Sequence, residues 1–462
     1  MKFRTTLILL AVLIILLAAV ILVEHRSTAV QEKKEKEEKL TDFKASEVEK
    51  FSLKSESGLI VIKRDEKGNW QIVEPFEAEA DDYEASSLVE NFASLKIDKV
   101  VEKQPSDLSI YEIPKKEVKL WVKGQSEPIT IQIGMENPLD NTLYAKRADQ
   151  PQLVLLPSYL RSSLDKKLFD LRKKDVLKFE TKGVQTIELK SKENLWKIKR
   201  EKDDWFFIQP VEALAAKSQI DNLLDSLSRL RAKDFLAEEK DAQKIREFGL
   251  DQPEFTVNLS LPESQELVFW LTRKDNKVIA TNSLSRKIIE VDSQIITDLN
   301  KSFSDLREKK VAVFNSWEAT SIKLKKEKQE IVARKEKVKE KGREQEKWWL
   351  IAADGKKEPA DESKVESALR KLEYLEAAEF IDQPTNLADF GLDPPRLEIT
   401  ITIKPADKEE KEVVILTGPE NAEKHQVVIK NKELKYLVRV DSSFLKELPE
   451  KFEDWKLVEN KK

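Results

Sequence analysis

Apolar residues follow three different patterns along this chain. Leu7 to Val23 is an unbroken apolar run. At about 1.5 Å per residue a helix of that run falls a little short of a ~30 Å hydrocarbon core. Thr5 and Thr6 extend it, and Lys2 and Arg4 can snorkel at its near end. Further along, short stretches alternate apolar and polar residues with a period of two, as in ITIQI and LEITITI, which predicts strands with one buried face. Between them run segments with apolar residues at helical spacing. One such set is Ala85, Leu88, Val89, Phe92 and Leu95. It recurs as Ile220, Leu223, Leu224, Leu227 and Leu230, and again as Val365, Ala368, Leu369, Leu372 and Leu375.

That recurrence is the strongest signal in the sequence. An aromatic strand precedes each helix. NWQIVEP (Asn69 to Pro75) resembles DWFFIQP (Asp204 to Pro210), and Trp70 and Trp205 are 135 residues apart. In the third copy the strand is KWWLIA, and Trp349, 144 residues beyond Trp205, is read as its landmark. Asp81 and Asp361 stand where they can cap the first and third helices, whereas the second has Ala216. A turn follows each helix: EFGLDQP (Glu247 to Pro253), DFGLDPP (Asp389 to Pro395) and, degraded, IYEIP (Ile110 to Pro114). Gly249 and Gly391 supply a left-handed helix end before proline stops the chain. A closing strand and short helix also recur, with Pro157, Asp292 and Asp441 at the helix start. Copies one and two end alike, in LFDLRKKDVLKF and FSDLREKKVAVF.

The expected fold is α+β: an N-terminal transmembrane helix, then three tandem repeats, each an antiparallel sheet packed with amphipathic helices. The anchor takes 1–28 and a charged linker 29–45. The repeats take 46–178, 179–315 and 316–462, the last with a charged insertion over 323–347 read as a protruding hairpin that turns near Gly342. The anchor run is longer than the apolar core of a cleaved signal peptide and has no clean Ala-x-Ala after it, so a retained anchor is favoured over cleavage near Ser27-Thr28-Ala29. The positive-inside rule and the short basic N-terminal flank place the amino terminus inside and the bulk in the periplasm or outside the cell.

Composition narrows the chemistry. Lys+Arg number 82 and Asp+Glu 86, a net charge of −4, without the basic excess of a nucleic-acid binder. Charged residues make up 36% of the chain, above the usual quarter, which predicts a surface dense in ion pairs. With no cysteine there are no disulfides, thiolate metal sites or cysteine nucleophiles. Only two histidines occur: His25 abuts the anchor and His425 lies in a charged stretch, neither placed as a triad base. Ten glycines and no phosphate-binding loop remove the usual nucleotide fingerprints. Asp81-Asp82 is a paired carboxylate only on paper, explained better by a helix N-terminus that favours negative charge, and Asp251 and Asp393 read as turn formers. Trp70, Trp205, Trp349, Trp121 and Trp270 read as core, while Trp317 and Trp455, at the ends of copies two and three, read as packing between units.

The anchor, the Trp-x-Ile/Phe-x-x-Pro strand, the amphipathic helix and the Phe-Gly-Leu-Asp-x-Pro turn together resemble the bacterial domain-of-unknown-function family numbered 4340. The turns at Phe248 to Pro253 and Phe390 to Pro395 carry the likeness best; Tyr111-Glu112-Ile113 departs from it. The resemblance implies a membrane-anchored protein often encoded beside the permease and ATPase of ABC-type transporters, including gliding-related ones. It brings no catalytic residues. The expectation is therefore a non-catalytic scaffold or accessory subunit, with no catalytic, cofactor or metal residues assigned. It would meet the lipid bilayer through residues 5–23 and partner another membrane or envelope protein, with no nucleic acid or small-molecule cofactor. An envelope glycan-binding module and a carboxylate-dependent glycan hydrolase are the alternatives.

Overall fold

A computed structural model describes residues 38–327, 329–340, 343–406 and 409–458. The expected anchor at 5–23, His25 and Gly342 lie outside them. Among the described residues no helix is long and apolar enough to cross a membrane. The chain divides into two compact units, one ending at Lys174 and one beginning at Asp175.

In the first unit the strands are β1 (Val48–Ser55), β2 (Gly58–Arg64), β3 (Trp70–Glu74), β4 (Ala78–Glu79), β5 (Lys99–Glu102), β6 (Lys116–Val122), β7 (Ile129–Glu136), β8 (Leu143–Arg147) and β9 (Leu153–Leu156). One long helix, α1 (Asp82–Ala93), separates β4 from β5. They form a nine-stranded sheet in the order β4-β3-β2-β1-β6-β7-β8-β9-β5. Every pairing is antiparallel. The two edge strands are thus the two that flank α1 in sequence. A flat sheet of nine strands at about 4.8 Å spacing is about 38 Å wide, whereas a 12-residue helix covers about 18 Å. Yet Leu88, Val89 and Phe92 of α1 share one contiguous core with residues from β1, β2, β3, β6, β7, β8 and β9. The sheet therefore curls around its helix, which supplies the centre of the core.

The second unit holds the same sheet order twice, over residues 186–291 and 319–441, with helices Lys217–Ser228 and Glu362–Glu373 in place of α1. The expected tandem sheet repeats are present in triplicate. The helix starts differ as the sequence predicts: Asp81 and Asp361 accept hydrogen bonds from the N–H of Glu84 and Lys364, whereas Ala216 offers no side-chain cap.

One landmark moves by a residue. The carbonyl of Trp70 accepts from Ala80 N–H, that of Trp205 from Ala215 and that of Trp348 from Ala360. Trp348, buried in the core, is therefore the third landmark, and Trp349 sits half-buried on the opposite face of its strand. Two adjacent indoles offer the reading frame two choices, and a slip of one residue exchanges the faces of a strand. Each landmark indole carries a cation from the neighbouring strand: Arg64 at 4.2 Å from Trp70, Arg200 at 4.4 Å from Trp205, Lys335 at 5.2 Å from Trp348. Trp455 is also core, while Trp121 and Trp270 are half-buried and stack against Lys50 and Lys240. Trp317 is exposed rather than packed between repeats.

The charged stretch 323–347 lengthens strands that every repeat has. Lys323 to Lys326 lie within the strand Ala319–Lys326, and the hairpin strands run Gln329–Glu340 and Arg343–Ile351. Beyond the Lys335–Trp348 pair the residues facing each other are Glu336 and Lys347, Lys337 and Glu346, Val338 and Gln345, Lys339 and Glu344, and Glu340 and Arg343, all but one of them opposite in charge. Opposite charges across an antiparallel pair fix its register without an apolar face.

The chain entering each repeat is fastened at one position. Leu40, Val176 and Val311 donate their N–H groups to the carbonyls of Leu95, Leu230 and Leu375. Their own carbonyls accept from Arg147 (2.9 Å), Asn282 (2.8 Å) and Asn431 (3.0 Å). Leu40, in the stretch read as linker, is fully buried.

Within the second unit the two repeats share one core through Val311, Ala312 and Phe314. Arg307 rivets the join. It is almost fully buried, donates to Asp382 at 2.5 Å, and lies 3.7 Å from the ring of Phe380 and 4.4 Å from that of Tyr436. Burial pushes the Tyr436 phenol above its ordinary value. Arg172 holds the matching position of the first unit, over Phe76.

Two stability effects follow. Arg307→Ala should cost about 3–5 kcal/mol, as breaking a buried pair does, whereas Lys435→Ala, which removes an exposed pair with Glu212, should cost under about 1 kcal/mol; urea unfolding of the full chain in detergent reads both. Ala216→Asp should raise stability by about 1 kcal/mol by supplying the missing cap. The backbone at 216 is already extended (φ −68°, ψ 101°) as a cap requires, so an unchanged or lower urea midpoint would contradict this assignment.

Candidate functional site

The residues singled out by sequence do not converge. Asp81 caps α1, and Asp82 accepts the N–H of Trp70 at 2.7 Å. The pair that resembled an acid–base couple thus fastens a helix start to its strand. Asp251 and Asp393 are exposed, one in each repeat of the second unit. Their turns lay Leu250 and Leu392 onto the outer sheet face, where each nucleates a small second core with Phe248 or Phe390 beside it. Gly391 holds a left-handed conformation (φ +64°) against Pro419, and a Cβ there would lie 2.3 Å from the proline ring. His425 is exposed in a tight turn. Among the described residues no three His, Asp or Glu side chains gather where a metal could be held.

Many carboxylates are committed to backbone ends. The carboxyl of Asp361 is held below its ordinary value chiefly by the Ser363 hydroxyl, Asp441 by that of Ser443, Asp305 by that of Ser302, and Asp292 by the N–H of Gln294.

A concavity recurs at the same end of every repeat. It lies between the start of the sixth strand, the end of the seventh and the short helix after the ninth. The three encompass about 310, 850 and 230 Å³ in chain order. Matching positions follow from strand register: Lys116 faces Ile133, Phe255 faces Leu271, and Leu397 faces Thr417. In the first repeat the cleft is bridged by its own charges. Arg161 pairs with Glu136, donating Nε at 2.6 Å, and Lys116 pairs with Asp165. In the second, Arg273 and Glu254 pair across the mouth, with Nε–Oε2 2.8 Å. In the third, the positions of Lys116, Arg161 and Asp165 are taken by Leu397, Leu445 and Pro449, and Glu420 replaces Glu136.

A second difference between copies lies at the far end of the third helix. Val313, Trp317 and Tyr374 are 51%, 69% and 65% exposed. They stand where the other repeats carry Asp42 and Lys178, Ser46 and Lys182, and Ser94 and Arg229. The equivalences rest on shared geometry. Ser46, Lys182 and Trp317 are each the middle residue of a three-residue turn, and Ser94, Arg229 and Tyr374 each end the long helix. Ser316, next to Trp317, donates its N–H to Glu373, next to Tyr374, at 3.1 Å, and Lys310 lies 4.9 Å from the Tyr374 ring.

The profile of a family described as "Domain of unknown function (DUF4340)" matches residues 70–242, 205–386 and 348–457. The chain belongs to this family. The three DUF4340 matches begin at the three landmark tryptophans, in agreement with the hydrogen-bond pattern that selects Trp348. No curated protein matches the sequence. Among solved structures, the DNA polymerase sliding clamp of Pseudomonas aeruginosa with ligand is 8% identical over 87% of this chain and 93% of that one, with a TM-score of 0.14. A second structure of that clamp is 8% identical over 86% and 92% (TM-score 0.15), and the DNA polymerase III subunit beta of the same organism is 9% identical over 86% and 93% (TM-score 0.15).

Neither the cleft nor the exposed aromatic pair was singled out from sequence. The signal was present only as positions where the copies differ in polarity: the third from both others at the aromatic pair, and the second and third from the first at the cleft.

The depressed carboxyls set an acid limit on this DUF4340 chain. Their folded values lie below the unfolded value near 4. Their contribution is therefore present above that value and lost as pH falls through the folded ones. The urea midpoint should fall between pH 5 and pH 3, and Asp361→Asn should reduce that fall; a midpoint independent of pH over this range would contradict the assignment.

Proposed function

We propose that this protein is a non-catalytic, single-pass envelope protein that binds a partner protein outside the cytoplasmic membrane. Residues 5–23 form its anchor in the lipid bilayer, with the amino terminus inside and the three repeats in the periplasm or outside the cell. The partner is an integral membrane protein of the ABC-permease kind, and the repeats act as scaffold or accessory subunit. The anchor and this partner rest on the apolar run and on the family resemblance.

One observation carries the binding part of the proposal. Val313, Trp317 and Tyr374 expose apolar and aromatic surface where both sister repeats are polar. Within one fold, such a difference has no role in the core. Exposed Trp and Tyr beside charged residues have the composition of interface anchors. A glycan-binding reading draws on the same exposed indole, since sugars stack on aromatic faces.

Truncating an aromatic anchor costs ~2 kcal/mol or more of binding, about 30-fold in affinity. Trp317→Ser with Tyr374→Ser should therefore lower recovery of the partner in mild-detergent co-purification at least tenfold, with the urea midpoint unchanged. Unchanged recovery would contradict the reading. Retention of the wild type, but not the variant, on insoluble peptidoglycan would replace it with the glycan reading.

A further inference from the structure

We propose that the cleft of the third repeat is a docking site for a short peptide segment carrying one apolar anchor residue flanked by acidic residues. This deepens the interaction reading above and rests on it.

The first argument is internal comparison. The first repeat uses this position for two ion pairs, Arg161 with Glu136 and Lys116 with Asp165. Three of those four residues are apolar in the third repeat, as Leu445, Leu397 and Pro449. Neither pair can form there, nor in the second repeat, where Phe255, Ile296 and Asn300 take the positions of Lys116, Arg161 and Asp165. The second repeat closes its cleft with Arg273 and Glu254, and among the described residues the third has no such pair across it. Apolar side chains, with Leu324 and Ile331 from the first hairpin, line the cleft instead.

The second argument is charge. Lys326, Arg396 and Lys446 border the cleft and make no side-chain hydrogen bond or ion pair among the described residues. Two carboxylates also border it. Glu420 is engaged by the Ser442 hydroxyl at 2.6 Å, and Glu450 pairs with none of the three cations. Three cations against two carboxylates leave the rim of an apolar floor net positive, which favours an occupant that is apolar at its centre and negative at its flanks.

The third argument is size. About 230 Å³ is below the ~300–1,000 Å³ of sites for drug-sized ligands and cofactors. It accommodates one or two side chains. A peptide anchor fits, and acidic flanking residues then reach the cations at the rim. The cations supply rate and salt dependence, and the apolar anchor supplies the desolvation that holds the complex.

The test uses the full chain in non-ionic detergent and two fluorescein-labelled hexapeptides, Glu-Asp-Leu-Phe-Asp-Glu and its charge-reversed analogue Lys-Arg-Leu-Phe-Arg-Lys. Fluorescence anisotropy should show saturable binding of the acidic peptide, weakened several-fold between 50 and 300 mM salt, and at least tenfold weaker binding of the basic one. Arg396→Glu with Lys446→Glu should weaken the acidic peptide at least tenfold, and Leu445→Asp should do the same at low salt. Arg396 and Lys446 are exposed, so an unchanged urea midpoint should accompany the loss in the charge-reversed variant, whereas Leu445 packs against the core and its variant should lower the midpoint as well. Equal affinity for both peptides, or full affinity in the charge-reversed variant, would overturn the assignment. So would failure to bind the acidic peptide while nanodiscs containing phosphatidylglycerol bind in a Lys446-dependent way, which would mark a lipid site. Failure here with partner recovery intact sinks the cleft alone, whereas loss of partner recovery in the wild type sinks the interaction reading and leaves this titration standing.

Discussion

Everything in this architecture depends on one burial event repeated three times: a single amphipathic helix must cover the inner face of a nine-stranded sheet. A sheet so wide cannot be satisfied by one 12-residue helix unless it curls. Placing the helix between the two edge strands in sequence makes the curl the natural outcome, because both edges are tied to the helix ends by short connections. The side chains repeated from copy to copy serve this constraint. The tryptophan marks where the third strand meets the helix start, its stacked cation covers the indole, and the Asp cap or its absence sets where the helix begins.

The second constraint is how one repeat follows another. In every repeat the entering chain meets a fixed position, where Arg147, Asn282 or Asn431 of that repeat donates to its carbonyl. Between the second and third repeats this fastening is reinforced by the buried Arg307 and a shared core, and the two form one compact unit. A polar side chain performs the fastening in all three, but its identity differs. The requirement is a donor at a given place, which arginine or asparagine can meet.

Much of this was legible in the sequence, and the reasons are physical. Helical apolar spacing, Asp81 and Asp361 as caps, and the left-handed Gly249 and Gly391 are local signals, and local signals survive without knowledge of the fold. The order of strands was not legible, because antiparallel partners are set by tertiary closure. The Trp348–Trp349 pair misled the alignment because adjacent positions on a strand differ only in face. The segment 323–347 read as an addition because its charges suppress the alternation that marks a strand; cross-strand pairing of Glu336 with Lys347 and Lys337 with Glu346 does that work instead. Leu40 was hidden in a polar run, where one buried leucine leaves no period. The cleft of the third repeat and the Trp317 surface were not legible either, because each is assembled from segments far apart in sequence. The meaning of the Trp317 surface comes from contrast with both sister copies, and that of the cleft from contrast with the ion-paired first copy.

The central claim is that three separate helices each hold a sheet of their own. Hydrogen–deuterium exchange of the full chain, read by mass spectrometry, tests it most directly. Peptides covering Asp82–Ala93, Lys217–Ser228 and Glu362–Glu373 should all be among the most protected in the chain, together with the central strands of their own repeats. If any one of the three helices exchanges at the rate of an exposed loop while its strands stay protected, that sheet is held by something other than its helix, and the account is wrong.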